Sequence, residues 1–503
     1  MQPETTNLNP GVTEQVTPPP QAVPPIQPPP AQPPVDSGAV YGGGMGSKKK
    51  IIGIIAGIIG VLLLTIILFF AFFRKSGEGN AEITYWGIWE NEAVFQEIIQ
   101  DFEKEYPNIK VKYENRADIK DVPGGYIAFL KTRINEGTGP DIFRFHNSWT
   151  SLLSSHLAPL PSSIQKEVDI EKNYYPVINS DMEVNGAYYG VPIGYDSLVM
   201  YVNDDILSAG GYSVPHDWLS FMDVARALTV IDEQTGEIKT SGASLGTYDN
   251  VDHAADILSL LSVQSSIDMT SLAGVNASTD EQAEQKTTLA KNKMVGVLDF
   301  YTCFAVESDI CTPIWNNSMP NSKLAFVQGK VAFYFGYSWD ILEINHANPN
   351  FKFSVHPVPQ YDSSAQGKAT LAGYWAEGVS RKSKAQAQSF QFLEFLSRKE
   401  NMEKLFKAQS AQRPIAVAYP RKDMGDLLKN NPYLAAVVNQ APTAKSSLFY
   451  SDTYGGGEIA RMDVYLGNAV RAVQAGESSS KTAVDKLAEG LYSIFVPTPD
   501  ESK

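Results

Sequence analysis

Cysteine is almost absent from this chain of 503 residues, which contains only Cys303 and Cys311. Two cysteines are too few for a structural zinc site, which takes four ligands at paired short spacings. A short loop separates the two thiols, so a disulfide is one interpretation, and by the loop-entropy model it would contribute about 2–3 kcal/mol. Two unpaired buried thiols are the other interpretation.

Catalytic motifs are also lacking. The sequence has no HExxH or other metal-ligand spacing around its histidines, no G-x-S-x-G elbow and no P-loop. The histidines are His146, His156, His216, His253, His346 and His356. The acidic segment Thr247–Asp256 lacks the central glycine and distal glutamate of an EF-hand loop, and is interpreted as a helix start with solvated acids. We therefore expect no metal, no cofactor and no enzymatic activity.

Positive charge is scarce over most of the chain. The formal net charge is −15, and residues 1–75 contribute +2, so residues 76–503 carry −17. An acidic surface of this kind repels the phosphate backbone. The sequence thus predicts no nucleic-acid partner.

One long hydrophobic run stands out, residues 51–73, which contain no charged residue and lie between Lys48–Lys50 and Arg74-Lys75. As a helix this run would be about 34 Å long, enough to cross a bilayer core of about 30 Å. A buried core helix is rarely so long and so uniformly apolar. A cleaved signal peptide would be shorter and nearer residue 1. We expect a retained transmembrane anchor at residues 48–75.

The segments around this anchor differ in composition. Residues 1–47 are rich in proline and glycine and are predicted to be a disordered cytoplasmic tail, with a docking site for a polyproline-binding partner as the alternative. Residues 76–80 form a linker. Residues 81–503 are too many for one ordinary core, so two lobes are expected.

The start of this large domain alternates strands and helices. AEITYWGIW is typical of a strand, and a helix starting at Glu90 or Asn91 follows it and ends before Pro107. A second strand is predicted at Ile109–Tyr113, a second helix ends near Gly137, and a third strand covers Asp141–Phe145. This order favours an α/β fold with a parallel sheet, in which ligands bind beyond the carboxyl ends of the strands.

Several stretches resemble, in the same order, the family 1 extracellular solute-binding proteins, the maltose-binding-protein-like receptors of ABC importers. The stretches are YWGIWENEAVFQEIIQDFEKEYPNIKVKYE, TGPDIFRFHNSW, NGAYYGVPIGYDSLVMYVNDDIL, KLAFVQGKVAFYFGYSWD, GYWAEGVSRKSKAQAQSFQFLEFLSRKENMEKLF, SAQRPIAVAY and IARMDVYLGNAVRAVQAGESSSKTAVDKLAEGLYSIF. The similarity covers nearly everything after residue 80. Family members are often secreted or lipid-anchored through a cysteine, and this sequence shows neither signal.

The resemblance implies a type II periplasmic-binding-protein-like fold with two hinged lobes. The first lobe would take residues 81–194 and 374–412, and the second would take residues 195–372 and 414–500. The crossings between the lobes would lie near Gly194–Leu198, Ala372–Ala376 and Gln412–Ile415. Glycine and proline at these points are equally compatible with a hinge and with ordinary turns.

Binding a sugar needs flat aromatic surfaces and convergent polar groups in a cleft that closes. The aromatic residues predicted for this role lie at strand ends or crossings, and are Trp86, Trp89, Trp149, Tyr195, Tyr337, Trp339, Tyr374 and Trp375. Trp339, followed by Trp375, is by resemblance the leading stacking surface, whereas Trp86 and Tyr374 could as well be core aromatics. Trp218 and Trp315 do not occupy such places.

The polar residues predicted for the cleft are Glu90, His146, Asn147, Asp196, Glu377 and Arg413. Two of them have structural alternatives. His146 could cap the end of a strand, and Arg413 could pair with an acidic residue at the third crossing. The pair Glu90 and Glu377 could also form a glycosidase dyad, although nothing in the sequence selects it.

Taken together, these observations predict a membrane-tethered extracellular receptor that captures a carbohydrate and delivers it to an ABC permease. The tail would be cytoplasmic and the lobes extracellular, in agreement with a weak excess of lysine before the anchor. The alternatives are a surface glycoside hydrolase, a sensory ectodomain, and a binder of a solute other than a sugar.

Overall fold

The computed structural model describes residues 80–120, 123–275, 281–309, 311–361, 367–449 and 458–496. The predicted tail and the predicted anchor at residues 48–75 lie outside these ranges. Within them, no helix has both the length and the apolar composition needed to cross a bilayer.

The strands and helices of the described residues alternate along the chain. The strands are β1 (Ala81–Gly87), β2 (Ile109–Asn115), β3 (Ile142–His146), β4 (Glu183–Val184), β5 (Ala187–Tyr188), β6 (Val191–Pro192), β7 (Val199–Asn203), β8 (Val230–Ile231), β9 (Ile238–Ala243), β10 (Val331–Gly336), β11 (Phe353–His356), β12 (Thr370–Leu371), β13 (Trp375–Val379) and β14 (Ala444–Lys445). The α-helices are α1 (Glu92–Glu105), α2 (Gly124–Asn135), α3 (Thr150–Leu153), α4 (Ser162–Val168), α5 (Ile170–Asn173), α6 (Pro176–Met182), α7 (Asp204–Gly210), α8 (Trp218–Leu228), α9 (Ala254–Gln264), α10 (Met269–Leu272), α11 (Glu281–Thr302), α12 (Ser322–Val327), α13 (Asp340–Ala347), α14 (Gln386–Ser397), α15 (Lys399–Gln412), α16 (Ala435–Gln440), α17 (Glu458–Gln474) and α18 (Ser480–Phe495).

The first sheet has the strand order β2-β1-β3-β13-β6. Strand β1 is parallel to both β2 and β3, so the predicted strand–helix–strand–helix–strand order is confirmed. Strand β13 is antiparallel to β3 and β6 and brings residues from far along the chain into the same sheet. The carboxyl ends of β1 and β3 therefore meet the start of β13 at one edge.

Helix α1 shows how local sequence produces the helices that cover the first sheet. The Asn91 side chain caps it by accepting a hydrogen bond from the Ala93 backbone N–H at 3.1 Å. Its buried face consists of Val94, Phe95, Ile98 and Phe102. Side chains at this spacing lie on one side of a helix, and here they cover the sheet.

The second sheet has the order β11-β7-β10-β9-β8. Strand β10 is central, antiparallel to β7 and parallel to β9, and all six of its residues are buried. Its carboxyl end leads directly into Tyr337 and Trp339. The second sheet thus presents aromatic residues where β10 ends.

The segments between the two sheets pair with each other. Leu198 N–H donates to Leu371 O at 2.9 Å, and Gly373 N–H donates to Asp196 O at 3.1 Å. Tyr195 N–H donates to Ala418 O at 2.8 Å. The first two predicted crossings, near Gly194–Leu198 and Ala372–Ala376, therefore run side by side, as a hinge requires. The exact lobe boundaries stay a prediction.

The chain after Arg413 was assigned to the second lobe by resemblance, yet part of it contacts the helices beside the first sheet. Lys422 N–H donates to Asn173 O at 2.9 Å, and the Arg421 guanidinium lies 3.4 Å from Ser397 O.

Cys303 and Cys311 form a disulfide, with their Cα atoms 5.5 Å apart. The bond joins the residue after α11 to the loop that follows it. Cys303 is buried, so the bridge ties this loop to the core of the second sheet.

Candidate functional site

Four rings meet at the edge of the first sheet, and we call Trp89, His146, Trp149 and Trp375 the aromatic corner. The centroid of the Trp375 ring lies 4.9 Å from Trp89, 5.1 Å from His146 and 5.1 Å from Trp149, each in an edge-on arrangement. His146 and Trp375 are direct partners across β3 and β13, so their side chains share a face. Trp149 is fully buried, whereas Trp89 is 48% exposed. The corner therefore has a fixed base and an accessible outer ring.

The backbone of Trp89 is held in an unusual conformation. Its φ is 66°, in the left-handed region that bulky residues rarely adopt. The next residue, Glu90, is anchored on both sides. Its Oε1 accepts hydrogen bonds at 2.8 Å from Gln409 and at 2.8 Å from Arg413, and its carbonyl accepts one from Tyr113 at 2.9 Å. These hydrogen bonds fix the backbone of the turn and hold the Trp89 side chain toward solvent.

Two further rings form what we call the second platform, Tyr337 and Trp339 at the end of β10. The rings are nearly parallel, at 10°, with centroids 6.3 Å apart. Tyr337 is buried and its hydroxyl donates to Asp256 Oδ1 at 2.8 Å. Trp339 is 37% exposed, and the ammonium of Lys323 lies 5.1 Å from its centroid. One part of the Trp339 surface is thus accessible.

The crossing strands bring the aromatic corner and the second platform close together. A Cβ added to Gly373 would lie 2.9 Å from the Tyr337 ring, so this position accepts only glycine without movement. Trp375 of the corner lies two residues further along the same segment, at the start of β13. On the other crossing, Asp196 Oδ2 accepts from Ser338 N–H at 3.0 Å and from its hydroxyl at 2.7 Å. Both aromatic groups therefore border the predicted hinge.

Two carboxylates, Asp196 at the first crossing and Asp181 on α6, have no ion-pair partner among the described residues. Burial raises the pKa of Asp196 to about 7, although the hydrogen bonds from Ser338 and Ser197 act to lower it. Burial likewise raises the pKa of Asp181 to about 6. Asp181 Oδ2 accepts from Asn147 at 3.0 Å, from the Tyr374 hydroxyl at 2.7 Å and from the Ser446 hydroxyl at 2.6 Å. It joins three distant segments of the chain.

Replacing Asp181 with asparagine should remove part of the pH dependence of stability. The unfolded carboxyl titrates near pH 4, as aspartates ordinarily do, and the folded one at about 6. Between those pH values the folded protein binds more protons than the unfolded chain. The contribution of Asp181 to the free energy of unfolding is therefore fully present below pH 4 and is lost as the pH rises through 6. From pH 4 to pH 7 we expect the wild type to lose about 1–2 kcal/mol relative to the variant.

Melting temperatures of both proteins at pH 4, 6 and 8 measure this difference. Asp223→Asn is the matched control, because the Asp223 side chain is 79% exposed. If the melting temperatures of the wild type and of Asp181→Asn change with pH in the same way, the raised pKa of Asp181 is contradicted.

The remaining predicted residues lie in more enclosed positions. Trp86 stacks on Phe129 at 5.7 Å with the Arg116 guanidinium 4.7 Å from its ring, as expected for a core aromatic. Tyr195 and Tyr374 are buried with centroids 5.9 Å apart. They stay predictions as ligand contacts.

The polar candidates Glu377, Arg413 and His146 make contacts of their own. Glu377 is fully buried and pairs with Arg144 at 2.8 Å. Arg413 pairs with Glu90 at 2.8 Å, which is the structural alternative considered for it. His146 Nδ1 lies 2.8 Å from the Ser148 hydroxyl, and burial lowers the pKa of His146 to about 3, so its ring is neutral.

Sequence reasoning missed Asp181, Asp256 and His253. The interpretation of Thr247–Asp256 as a helix start with solvated acids is wrong for Asp256, which is fully buried. The helix does begin at Ala254, but its first turn faces the second platform. No local signal marks Asp181, because its three hydrogen-bond partners come from distant parts of the sequence.

Two grooves lie away from both aromatic groups. One, of about 360 Å³, lies between α1 and β2 and is lined by residues that include Gln96, Ile99 and Lys110. The other, of about 210 Å³, lies beside the disulfide and is lined by residues that include Arg226 and Cys311. Neither contains the convergent aromatic surfaces that a sugar ring needs.

Comparisons with known proteins agree with this architecture. Residues 97–436 match the family model of a bacterial extracellular solute-binding protein. A multiple sugar-binding protein of Streptococcus mutans is 24% identical over 384 residues, which cover 75% of this chain and 84% of that protein. A maltotriose-binding protein of Pyrococcus abyssi is 25% identical over 134 residues, covering 26% of this chain and 28% of that protein.

Solved structures show the same fold. The sugar-binding protein MalE of Xanthomonas citri superposes with a TM-score of 0.63 at 20% identity, over 82% of this chain and 97% of that one. A substrate-binding protein of Listeria monocytogenes in complex with cycloalternan superposes with a TM-score of 0.59 at 20% identity, over 83% of this chain and 99% of that one.

Proposed function

Because the chain belongs to the family of bacterial extracellular solute-binding proteins, we propose that it captures a carbohydrate between its two lobes. The observation that carries this proposal is the distribution of tryptophan. Of the seven tryptophans, Trp86, Trp149, Trp218 and Trp315 are buried, while Trp89, Trp339 and Trp375 retain accessible surface. These three border the crossings, where a two-lobed receptor binds its ligand.

An exposed indole at such a place favours a sugar over most other solutes. A pyranose ring has an apolar C–H face that packs on a flat aromatic surface, and hydroxyl groups around its rim. Trp89 and Trp339 supply flat surfaces on the two sides of the crossings. Asn147 and Asp196 are buried beside them and hold the crossing segments through hydrogen bonds within the protein. The sugar binding named for the Streptococcus mutans and Xanthomonas citri proteins supports the same substrate class.

Delivery to a permease follows from hinge closure in this proposal. The ligand contacts aromatic groups attached to both sheets, so it binds the closed arrangement more tightly than the open one and shifts the equilibrium toward closure. The closed lobes are then the form that an ABC permease recognises. The hydrophobic run at residues 51–73 would keep the receptor at the outer face of the membrane, with the tail in the cytoplasm.

Titration calorimetry of residues 76–503 against a glycan panel tests the proposal. The panel contains maltotriose, maltotetraose, mannobiose, mannotriose and a cyclic maltodextrin, together with glucose. We expect an oligosaccharide to bind with a Kd of about 1 μM or below, since the closing cleft buries most of such a ligand. Tight binding of a peptide or a polyamine, with no binding of any glycan, would contradict the carbohydrate assignment.

The hydrolase alternative depends on Glu90 and Glu377, and their contacts oppose it. A glycosidase needs one carboxylic acid that protonates the leaving oxygen and a second carboxylate within reach of the sugar. Glu377 is fully buried against Arg144, and Glu90 is paired with Arg413. An incubation of each panel glycan with the protein, followed by a reducing-end assay, should accordingly yield no product.

A further inference from the structure

A buried histidine lies beneath the second platform. His253 immediately precedes helix α9 and is 1% exposed. The centroid of its ring lies 5.5 Å from that of Trp339, at an interplanar angle of 74°, and 5.5 Å from that of Tyr337, at 84°. The edge of one imidazole thus supports both aromatic rings of the platform.

Two carboxylates fix the position of this imidazole. His253 Nε2 lies 2.9 Å from Asp340 Oδ2, and Nδ1 lies 3.5 Å from Asp256 Oδ2. Both carboxylates are fully buried. Rotation of the ring would break the close charged contact at Nε2 and lose the longer one at Nδ1.

The same two carboxylates also hold Tyr337. Its backbone N–H donates to Asp340 Oδ2 at 3.1 Å and its hydroxyl donates to Asp256 Oδ1 at 2.8 Å. Lys323 completes the cluster, with its ammonium 2.8 Å from Asp340 Oδ1 and 5.1 Å from the Trp339 centroid. The carboxylates that contact the His253 ring therefore also hold the platform.

We propose that His253 is a positioning residue that sets the orientation of Tyr337 and Trp339 toward the ligand and does not touch the ligand itself. The proposal depends on the proposed function only in taking Trp339 as a stacking surface. Catalytic and binding side chains need such support, because a stacking surface that rotates freely loses much of its affinity.

The charge of His253 distinguishes this role from simple packing. Burial acts to lower its pKa, but Asp340 and Asp256 outweigh burial and raise the pKa well above its ordinary value near 6.5. The titratable groups around it are Asp256 on α9, Asp340 on α13, Lys323 on α12, and Tyr334 and Tyr337 on and after β10. Two groups lie further out: Asp196, which interacts with Asp340, and His146 of the first sheet, on which Asp256 acts. The ring stays protonated through neutral pH.

A ligand-free measurement tests the contact. A protonated imidazole quenches indole fluorescence, so the emission of Trp339, taken as wild type minus Trp339→Phe, should rise in His253→Gln. Asp196, whose pKa burial raises to about 7, accepts a hydrogen bond from Ser338 beside this ring, so the titration is repeated in Asp196→Asn, where the difference signal should stay constant from pH 5.5 to pH 7.5. A transition near pH 6.5 that persists in Asp196→Asn would overturn the proposal, because an unconstrained histidine titrates there.

A binding measurement tests the positioning role. The probe is maltotriose, or the panel glycan that binds the wild type best. His253→Gln should weaken binding about tenfold by removing two ring contacts and the central charge. His356→Gln is the matched control, since His356 is a half-buried histidine on β11 that bonds to Ser354.

Tyr337→Phe provides a second variant that removes the hydroxyl bond to Asp256 and keeps the ring. It should fold as the wild type does and bind a few-fold more weakly. Unchanged affinity in both His253→Gln and Tyr337→Phe would overturn the positioning role, while absence of glycan binding in the wild type would contradict the proposed function instead. If His253→Gln does not fold, the Tyr337→Phe affinity and the Asp196→Asn fluorescence titration decide the matter.

Discussion

Trp339→Ala should weaken glycan binding about 100-fold, the largest effect expected from a single ligand contact. The indole is 37% exposed, so its outer surface is available for stacking while its inner side contacts His253 and Tyr337. Removing it takes away the apolar surface that the C–H face of a sugar covers. Titration calorimetry with the tightest panel glycan measures the loss, and Trp339→Phe should recover part of it.

A matched control distinguishes the loss of a stacking contact from the removal of any exposed aromatic ring. Tyr492 is 45% exposed on α18, away from the crossings, and Tyr492→Ala should leave affinity unchanged. The melting temperature of Trp339→Ala should remain close to that of the wild type, because a partly exposed ring contributes less to the core. Wild-type affinity in Trp339→Ala would contradict the placement of the ligand against this indole.

Glu377→Gln should lower the free energy of unfolding by about 3–5 kcal/mol, since it removes one partner of a buried ion pair and leaves a buried cation. Arg144 Nη2 lies 2.8 Å from Glu377 Oε1, and Glu377 is fully buried. The next acceptor for this guanidinium is Ile88 O, at 3.4 Å. Chemical denaturation with urea measures the change.

Two comparisons make this prediction specific to the pair. The double variant Arg144→Met/Glu377→Met should recover most of the lost stability, because no charge is then left uncompensated in the core. Asp205→Asn removes the partner of Lys352 in a pair whose side chains are 69% and 73% exposed, and should cost less than about 1 kcal/mol. A Glu377→Gln variant as stable as the wild type would show that the pair contributes nothing to the core.

The elements of the first sheet were predictable because their signals are local. Asn91 is an N-cap residue followed by an apolar stripe, Pro107 prevents the helix from continuing, and the intervening strands carry alternating hydrophobic residues. The antiparallel strand β13 was not predictable in this way, since its partners β3 and β6 lie more than 180 residues earlier. Only the resemblance suggested that this segment returns to the first lobe.

The candidate site was predictable to a lesser degree. Aromatic residues at strand ends identified the aromatic corner and the second platform, but could not separate accessible rings such as Trp89 from buried ones such as Trp149. Glu90 and Glu377 have the residue type of a sugar ligand, yet each is engaged by an arginine that the sequence did not connect to it. Accessibility and pairing depend on neighbours that are distant along the chain.

The sequence alone determined the periodicity of the strands and helices, the acidic charge of the large domain and the aromatic residues at the ends of β1, β3 and β10. These properties follow from residue order over short distances. The tertiary structure decided which tryptophans remain accessible and which carboxylates lack a cation. It also placed His253 between two buried aspartates, because burial and charge pairing arise only when segments such as α9 and α13 pack together.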